Sequence, residues 1–379
     1  MIYLNQAATT FPKPRCVLDA HAAALSAPPE GQFRGSAAQN GNVFDRCRNN
    51  MGRLLGIADA DRIYFTSGAT DAANALVNGL PLAGKRVLAT QTEHNSVLRP
   101  LMNLKDRVGE VDIVPCDALG RVDPSDAERM FSRPAAALFV NHCSNVTGMV
   151  QDIPALTEIA HRHGALLVLD ASQSVGCLPV EADAWGVDAL IFTGHKALFG
   201  PQGTGGYYVH PGIPLRPYRF GGTGRNSRQL TYDDGDYEYE VGTQNASGIA
   251  ALNAGIEYVL ERGVTAIHAK ERGLMKALFE GLADIPGVTL YGNYELCHGP
   301  LLSFNICGLA PSDVAYILSG SYGIIIRAGL HCSPLIHDAM GTSENGTVRV
   351  SVSDLNAEAD MTALIAAVRE IASNMEAAT

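Results

Sequence analysis

Between residues 63 and 209, short runs rich in Val, Ile, Leu and Phe alternate with longer stretches of helical period. The runs lie at 63–65, 86–89, 111–114, 136–141, 166–170, 189–193 and 205–209. Helical patterns lie between most of them, such as 153–163 after Gln151-Asp152. This alternation predicts an α/β fold with a mostly parallel sheet covered on both faces. Ligands of such sheets sit beyond the carboxyl ends of the strands. Two runs end there on reactive side chains. Residues 166–170 close on Asp170, with Gln173 three residues further on, and 189–193 lead into Thr193-Gly194-His195-Lys196.

A lysine and a carboxylate at the ends of neighbouring strands are what pyridoxal 5'-phosphate (PLP) needs. The lysine forms the Schiff base, and the carboxylate pairs with the pyridinium nitrogen and keeps the ring an electron sink. Alone, Lys196 reads as a surface lysine and Asp170 as a helix cap. Other motifs join them. Thr66-Ser67-Gly68-Ala69-Thr70 links the run 63–65 to a helix expected at 71–77, and small residues at a helix N-terminus let backbone N–H groups reach an anion. Ala69, Thr70, Thr193 and His195 are the phosphate candidates; in isolation this turn would be a plain N-cap. His94 follows the run 86–89 and is placed to stack on a pyridine ring and handle protons. Asn145 could donate to the cofactor's phenolic oxygen. Arg349, flanked by Val348 and Val350, offers a bidentate fork to a carboxylate. Cys332 sits in a glycine-containing loop near Arg327 and His331, where positive charge favours a thiolate.

The bulk numbers narrow the function. A net charge of −11, with no basic run, argues against a nucleic-acid binder. The start of the chain lacks the pattern of a secretory signal, and no apolar stretch is long enough to cross a membrane, so a cytoplasmic location is expected. None of the eight cysteines forms a C-x-x-C pair, so no metal or cluster site is expected and the thiols should be reduced. Residues 210–245, rich in Gly, Arg and Tyr and including Asp233-Asp234-Gly235-Asp236, read as an extended loop region. Helices follow at 246–261 and 264–282. Strands at 288–291, 301–306, 324–326 and 347–352, with helices at 312–319 and 357–375, read as a smaller α/β domain. The expected division is an N-terminal segment 1–15 packing near the site, a large domain 16–250 and a small domain 251–379 carrying the cysteine loop.

Taken in order, these motifs resemble the class V aminotransferase superfamily, and within it the cysteine desulfurases and selenocysteine lyases. The resemblance runs from Tyr3-Leu4-Asn5-Gln6-Ala7-Ala8-Thr9-Thr10, through Ser67-Gly68-Ala69-Thr70, Glu93-His94, Ser144-Asn145-Val146-Thr147-Gly148, Asp170-Ala171-Ser172-Gln173, Gly194-His195-Lys196 and Gly242-Thr243-Gln244-Asn245, to Arg327-Ala328-Gly329-Leu330-His331-Cys332 and Val348-Arg349-Val350-Ser351. It implies the fold-type I PLP-dependent transferase architecture. It assigns the Schiff base and Cα proton shuttle to Lys196, the ring nitrogen to Asp170, and the ring oxygen or its surroundings to Gln173 and Asn145. Ring stacking falls to His94, and phosphate to Ala69, Thr70, Thr193 and His195. Arg349 is the expected grip on the substrate carboxylate, with Asn145 and Arg327 beside it, and Cys332 the sulfur-accepting nucleophile. Thr243 is expected to reach the partner's phosphate in a homodimer with shared sites. The short interval from Cys332 to Arg349 resembles the short-loop (group II) desulfurases, which often depend on a sulfur-acceptor protein. Two positions depart from the pattern: Asn5-Gln6 stands where Asp-Asn or Asp-Ser is usual, and Leu330 replaces a histidine.

The activity implied is conversion of L-cysteine to L-alanine, with a persulfide on Cys332. Two alternatives stay open. One is a lyase acting on L-selenocysteine, or another C–S lyase that makes no persulfide. The other is a non-catalytic sulfur-relay partner that keeps the fold.

Overall fold

The seven apolar runs form one sheet in the computed structural model, which describes residues 1–27, 42–104, 106–222, 228–233 and 237–376. The chain opens with β1 (Ile2–Tyr3), α1 (Arg15–Ser26) and α2 (Val43–Leu55). There follow β2 (Ile63–Thr66), α3 (Ala69–Gly79), β3 (Arg86–Thr90), α4 (Asn95–Asn103), β4 (Glu110–Val114), α5 (Pro124–Met130), β5 (Ala137–Asn141), α6 (Ile153–Arg162), β6 (Leu166–Asp170), β7 (Ala189–Thr193) and β8 (Gly205–Val209). The strand order is β2-β8-β7-β6-β5-β3-β4, and β8 alone runs against its neighbours.

The strands alternate between two apolar cores, as the two-residue period of a sheet requires. Val87, Ala89, Phe139, Val168 and Ile191 pack in one core with Leu76 of α3 and Val97 of α4. Leu88, Leu138, Val140, Leu167, Leu169, Leu190 and Phe192 pack in the other with Met51 of α2 and Leu156 of α6. Helices therefore cover both faces. The chain leaves β3 outward to β4 and returns to β5 on the other side of β3, which opens a crevice at the carboxyl end between β3 and β5.

Residues 210–245 hold no helix or strand among those described. Positions 234–236 of the acidic run, like 223–227, lie outside the described residues. Two long helices follow, α7 (Ala246–Arg262) and α8 (Val264–Ala283). Ile249, Leu252, Ile256 and Val259 of α7 belong to the large-sheet core, and Ile267 near the start of α8 does too. From Leu274 onward α8 packs into a third core. That core lies on the antiparallel sheet β12-β13-β10-β9, built from β9 (Val288–Tyr291), β10 (Leu301–Ile306), β12 (Arg327–Gly329) and β13 (Thr347–Ser351). It also holds Val314 of α9 (Pro311–Tyr322) and Leu364 of α11 (Glu358–Glu376).

The strand expected at 324–326 ends at 325, and a second strand follows at 327–329. β11 (Ile324–Ile325) pairs in parallel with β1, while β12 pairs with β13. The chain changes partners at Ile326, and β1 is drawn from the N-terminus onto the smaller unit. The short helix α10 (Pro334–Met340) follows the cysteine loop.

Candidate active site

A cavity of about 400 Å³ opens at the carboxyl ends of β2, β3, β5, β6 and β7. Ala69, Thr70, His94, Asn145, Asp170, Gln173, Thr193, His195, Lys196, Arg327 and Arg349 all line it. The small sheet contributes the two arginines, so the cavity lies between the two units. Thr243 and Cys332 do not line it. Thr243 is exposed in the loop before α7, beside Ser67 and Gly203 in a neighbouring hollow.

Lys196 is half-buried at the turn after β7, and its ammonium is lowered to about pKa 8. Loss of water is the main cause; Asp170 opposes it, and Arg349 and Arg327 reinforce it. The N-terminal segment clamps this turn. The His195 carbonyl accepts from Thr10 N (3.0 Å), Thr9 Oγ1 (3.1 Å) and Lys13 Nζ (2.9 Å), and Thr10 Oγ1 donates to the Lys196 carbonyl. Gln173 Nε2 donates to the Ala7 carbonyl at 3.1 Å.

Asp170 is buried at the end of β6 and accepts from the Ser172 backbone N–H at 2.9 Å. Below it, Glu93 is fully buried, and burial and the Asp170 charge push its carboxyl well up, toward the neutral acid. His94 caps α4: its Nδ1 accepts from the Ser96 backbone N–H at 3.0 Å, which leaves the ring proton on Nε2. Burial, then Lys196 and the arginines, lower His94 to about 3, so the ring is neutral at physiological pH.

The helix expected at 71–77 begins earlier, at Ala69, because Gly68 takes the N-cap with φ 151°, a conformation suited to glycine. On the facing strand, a Cβ at Gly205 would lie 2.6 Å from the Gly68 Cα, so the turn needs glycine on both sides. The first N–H groups of α3 have no acceptor within the helix and face the cavity.

Arg327 and Arg349 stand directly opposite each other on β12 and β13. Like charges in that register destabilise a sheet. Arg327 is half-buried, and neither it nor Arg349 forms a carboxylate ion pair among the described residues; Arg349 is 1% exposed. Its Nη1 donates to the Asn145 carbonyl (2.9 Å) and its Nη2 to Asn5 Oδ1 (3.3 Å). Burial, then Arg327, lower it to about 9. Lys196, Arg327 and Arg349 line the cavity with two carboxylates, Asp170 and Asp71; Asp71 is already engaged by Ser67, Tyr218 and Arg219, so the balance of the site favours an anion.

Cys332 lies at the rim. Arg327 Nη2 reaches its Sγ at 3.2 Å. The loop is held on both sides: Asn145 Nδ2 donates to the His331 carbonyl (2.8 Å), Ser333 Oγ to Asn145 Oδ1 (2.7 Å), and Asn95 N to the Cys332 carbonyl (2.7 Å). His331 and Cys332 have φ of 51° and 62°, unusual for residues with side chains and sustained by these bonds.

Several buried polar atoms have no partner: Asn141 Oδ1, Ser172 Oγ, His195 Nδ1, His331 Nδ1 and Arg349 Nε, all from residues lining the cavity. Buried groups of this kind are normally satisfied, so the cavity is chemically incomplete without a polar ligand. A ring nitrogen partner, a neutral imidazole, a helix N-terminus and a lysine of lowered pKa fit PLP. The sequence reading did not single out Asn141, Ser172 or Lys13. Asn141 carries a legible signal, being a polar residue closing an apolar strand in register with Asp170. Lys13 has none, since only the folded N-terminus brings it to His195.

The fold and this cavity define a PLP-dependent enzyme, and a profile of the class-V aminotransferase family matches residues 2–364. The chain belongs to that family. It is 32% identical over 380 residues to a probable cysteine desulfurase of Methanothermobacter thermautotrophicus, an alignment covering 98% of this chain and 94% of the relative. The apo structure of the cysteine desulfurase of Thermococcus onnurineus NA1 superposes with a TM-score of 0.88 at 29% identity, covering 98% of this chain and 95% of the other. The S-sulfonic acid form of the cysteine desulfurase CsdA of Escherichia coli gives 0.87 at 26% identity, covering 98% and 94%.

Proposed function

We propose that this chain is a PLP-dependent cysteine desulfurase that converts L-cysteine to L-alanine and holds the sulfur as a persulfide on Cys332. The observation that carries the reading is the pinned Cys332 loop, with an arginine on the sulfur, at the rim of a cavity holding a lysine, an aspartate and a buried arginine. When bound, PLP supplies an electron sink for the pair left at the substrate Cα.

The chain's own residues divide the remaining work. Asp170 would face the ring nitrogen and neutral His94 the ring. Gln173 and Asn145 would lie beside the ring oxygen. The N-terminus of α3, with Ala69 and Thr70, would hold the phosphate together with Thr193 and His195. Lys196 would carry the cofactor and, once displaced by the substrate amine, move the Cα proton; its lowered pKa leaves a useful fraction unprotonated near neutral pH. Arg349 orients the substrate carboxylate, and Arg327 stands beside it. The Cys332 thiolate attacks the substrate sulfur: an S–S bond forms and the C–S bond breaks with its electron pair going to carbon. Protonation of that carbon gives alanine, so one cysteine and one enzyme thiol become one alanine and one enzyme persulfide.

The finer assignments belong to the same proposal. The molecule acts as a cytoplasmic homodimer, each Thr243 serving the partner's phosphate site; in support, Thr243 is exposed and does not line its own cavity. No described helix is long and apolar enough to cross a membrane, and all eight cysteines are free, in keeping with a reducing compartment. The division into a segment 1–15, a large domain 16–250 and a small domain 251–379 belongs to the same proposal; the passage of α8 from one core to the other supports two units, and the packing of α7 on the large-sheet core favours a boundary later than 250.

Mass spectrometry of the holoenzyme after brief exposure to L-cysteine tests the reading. A gain of one sulfur atom on the peptide containing Cys332 is expected, and Cys332→Ala should release no alanine. A Cys332→Ala enzyme that still turns over L-selenocysteine but not L-cysteine would mark a lyase with a selenium role. Full turnover of L-cysteine by that variant would overturn the persulfide.

A further inference from the structure

We infer that Cys332, beside the Lys196 cavity, discharges its sulfur into an adjoining outer hollow suited to a small anionic thiol. This rests on the persulfide reading above. The hollow has a volume of about 410 Å³, within the range of small-ligand sites, and its walls include Asn74, Asn95, Arg99, Asn103 and Cys332. Cys332 lines this hollow and not the Lys196 cavity. His94, Ser96 and Thr70 line both and form the partition between them.

The sulfur cannot travel to a distant acceptor. The Cys332 carbonyl is bonded to Asn95 N at 2.7 Å, Ser333 N to the Leu330 carbonyl at 2.9 Å, and Ser333 Oγ to Asn145 Oδ1 at 2.7 Å. The acceptor must come to the loop, and the hollow is the space open to it. Its charge selects the visitor. Arg99 is exposed, forms no ion pair among the described residues, and no Asp or Glu lines the hollow. On a chain of net charge −11 this is a local anion site. Asn74 Nδ2 and Asn103 Nδ2 each donate to a helix carbonyl, of Thr70 and Arg99, at 2.9 Å, and the second hydrogen of each amide remains for the oxygens of a carboxylate or sulfonate.

The transfer balances without any oxidant. The acceptor thiolate attacks the outer sulfur of the Cys332 persulfide. A new S–S bond forms, the S–S bond to Cys332 breaks, and the electron pair returns to Cys332 as thiolate. The acceptor leaves as its own persulfide.

The test uses holoenzyme charged once with L-cysteine, freed of excess substrate, and mixed with thiols of one length and three charges: 2-mercaptoethanesulfonate, 2-mercaptoethanol and cysteamine. Loss of the persulfide is followed against thiol concentration. Each variant is compared with wild type thiol by thiol, which cancels intrinsic nucleophilicity. Arg99→Ala should raise the half-saturating concentration of the sulfonate roughly five- to tenfold and move 2-mercaptoethanol little. Arg99→Glu, and Asn103→Asp with Arg99 intact, should shift the preference toward cysteamine. Discharge that ignores Arg99, shifts equally for all three thiols, or proceeds only to a protein acceptor overturns this inference. A wild-type enzyme that never gains the sulfur overturns the desulfurase reading as well, and that result is visible before any thiol is added.

Discussion

Arg349 shows what a single buried residue implies. A guanidinium 1% exposed, without a carboxylate and with Nε unpartnered, is destabilising until an anion arrives. Lysine would keep the charge and lose the fork. Arg349→Lys should therefore raise KM for L-cysteine about ten- to a hundredfold, and steady-state kinetics will show whether kcat falls less. Lys196 carries a second prediction. Only the free amine reacts with an aldehyde, so the rate of PLP uptake by apo-protein should climb with pH through a midpoint near 8 instead of at the ordinary lysine value. Rapid mixing with absorbance detection reads this directly; a midpoint at about pH 10 would contradict it. Lys196, Asp170 and Arg349 were all legible as residues, because their chemistry and their places at the ends of apolar runs coincide. The separation of Cys332 from the Lys196 cavity was not, because sequence spacing says nothing about which way a loop faces.

Among the elements, the turn before α3 and the cysteine loop matter most. Gly68 needs φ 151°, so Gly68→Ala should strain the turn by about 1–3 kcal/mol. The expected consequence is a PLP dissociation constant raised about five- to 150-fold, measured by cofactor titration. Asn145 braces the cysteine loop through both ends of its amide. Asn145→Ala should speed hydrogen exchange at the Ser333 amide and slow persulfide formation in a single turnover. Unchanged exchange would show that Asn95 alone holds the loop. Most strands and helices were readable from the alternation of apolar runs and helical periods. The break at Ile326 between β11 and β12 was not, since no turn residue marks it and only the two partners, β1 and β13, divide the segment.

Across the whole molecule, acid sensitivity follows from histidines kept neutral. His142 and His331 are buried, and desolvation lowers them to about 4 and about 2, with Arg349 and Arg327 adding to the shift at His331. The unfolded chain takes up these protons below its ordinary histidine pKa of about 6.5, while the fold does not. Stability is therefore complete above that pH and falls as pH drops toward the folded values. At pH 5 the loss should be about 2 kcal/mol for each of the two. Buried Glu93 and Glu271, whose carboxyls are pushed well up, shift stability the opposite way over this range, so denaturant titration at pH 7 and pH 5 compares wild type with His142→Asn: the change in midpoint between the two pH values should differ by the share of His142, and identical changes would contradict it.

The amino-acid order alone determined the α/β layering, the strand ends and the identity of the reactive side chains, because periodicity and residue chemistry are local properties. Tertiary structure decided what no local property encodes. It brought the N-terminus onto the Lys196 turn, set two arginines side by side across a strand pair, and turned the cysteine to the outer side of the partition formed by His94, Ser96 and Thr70. Those placements depend on contacts between residues distant in the chain, 22 positions for the arginine pair and 186 for Thr9 and His195, and such contacts exist only once the sheets have packed.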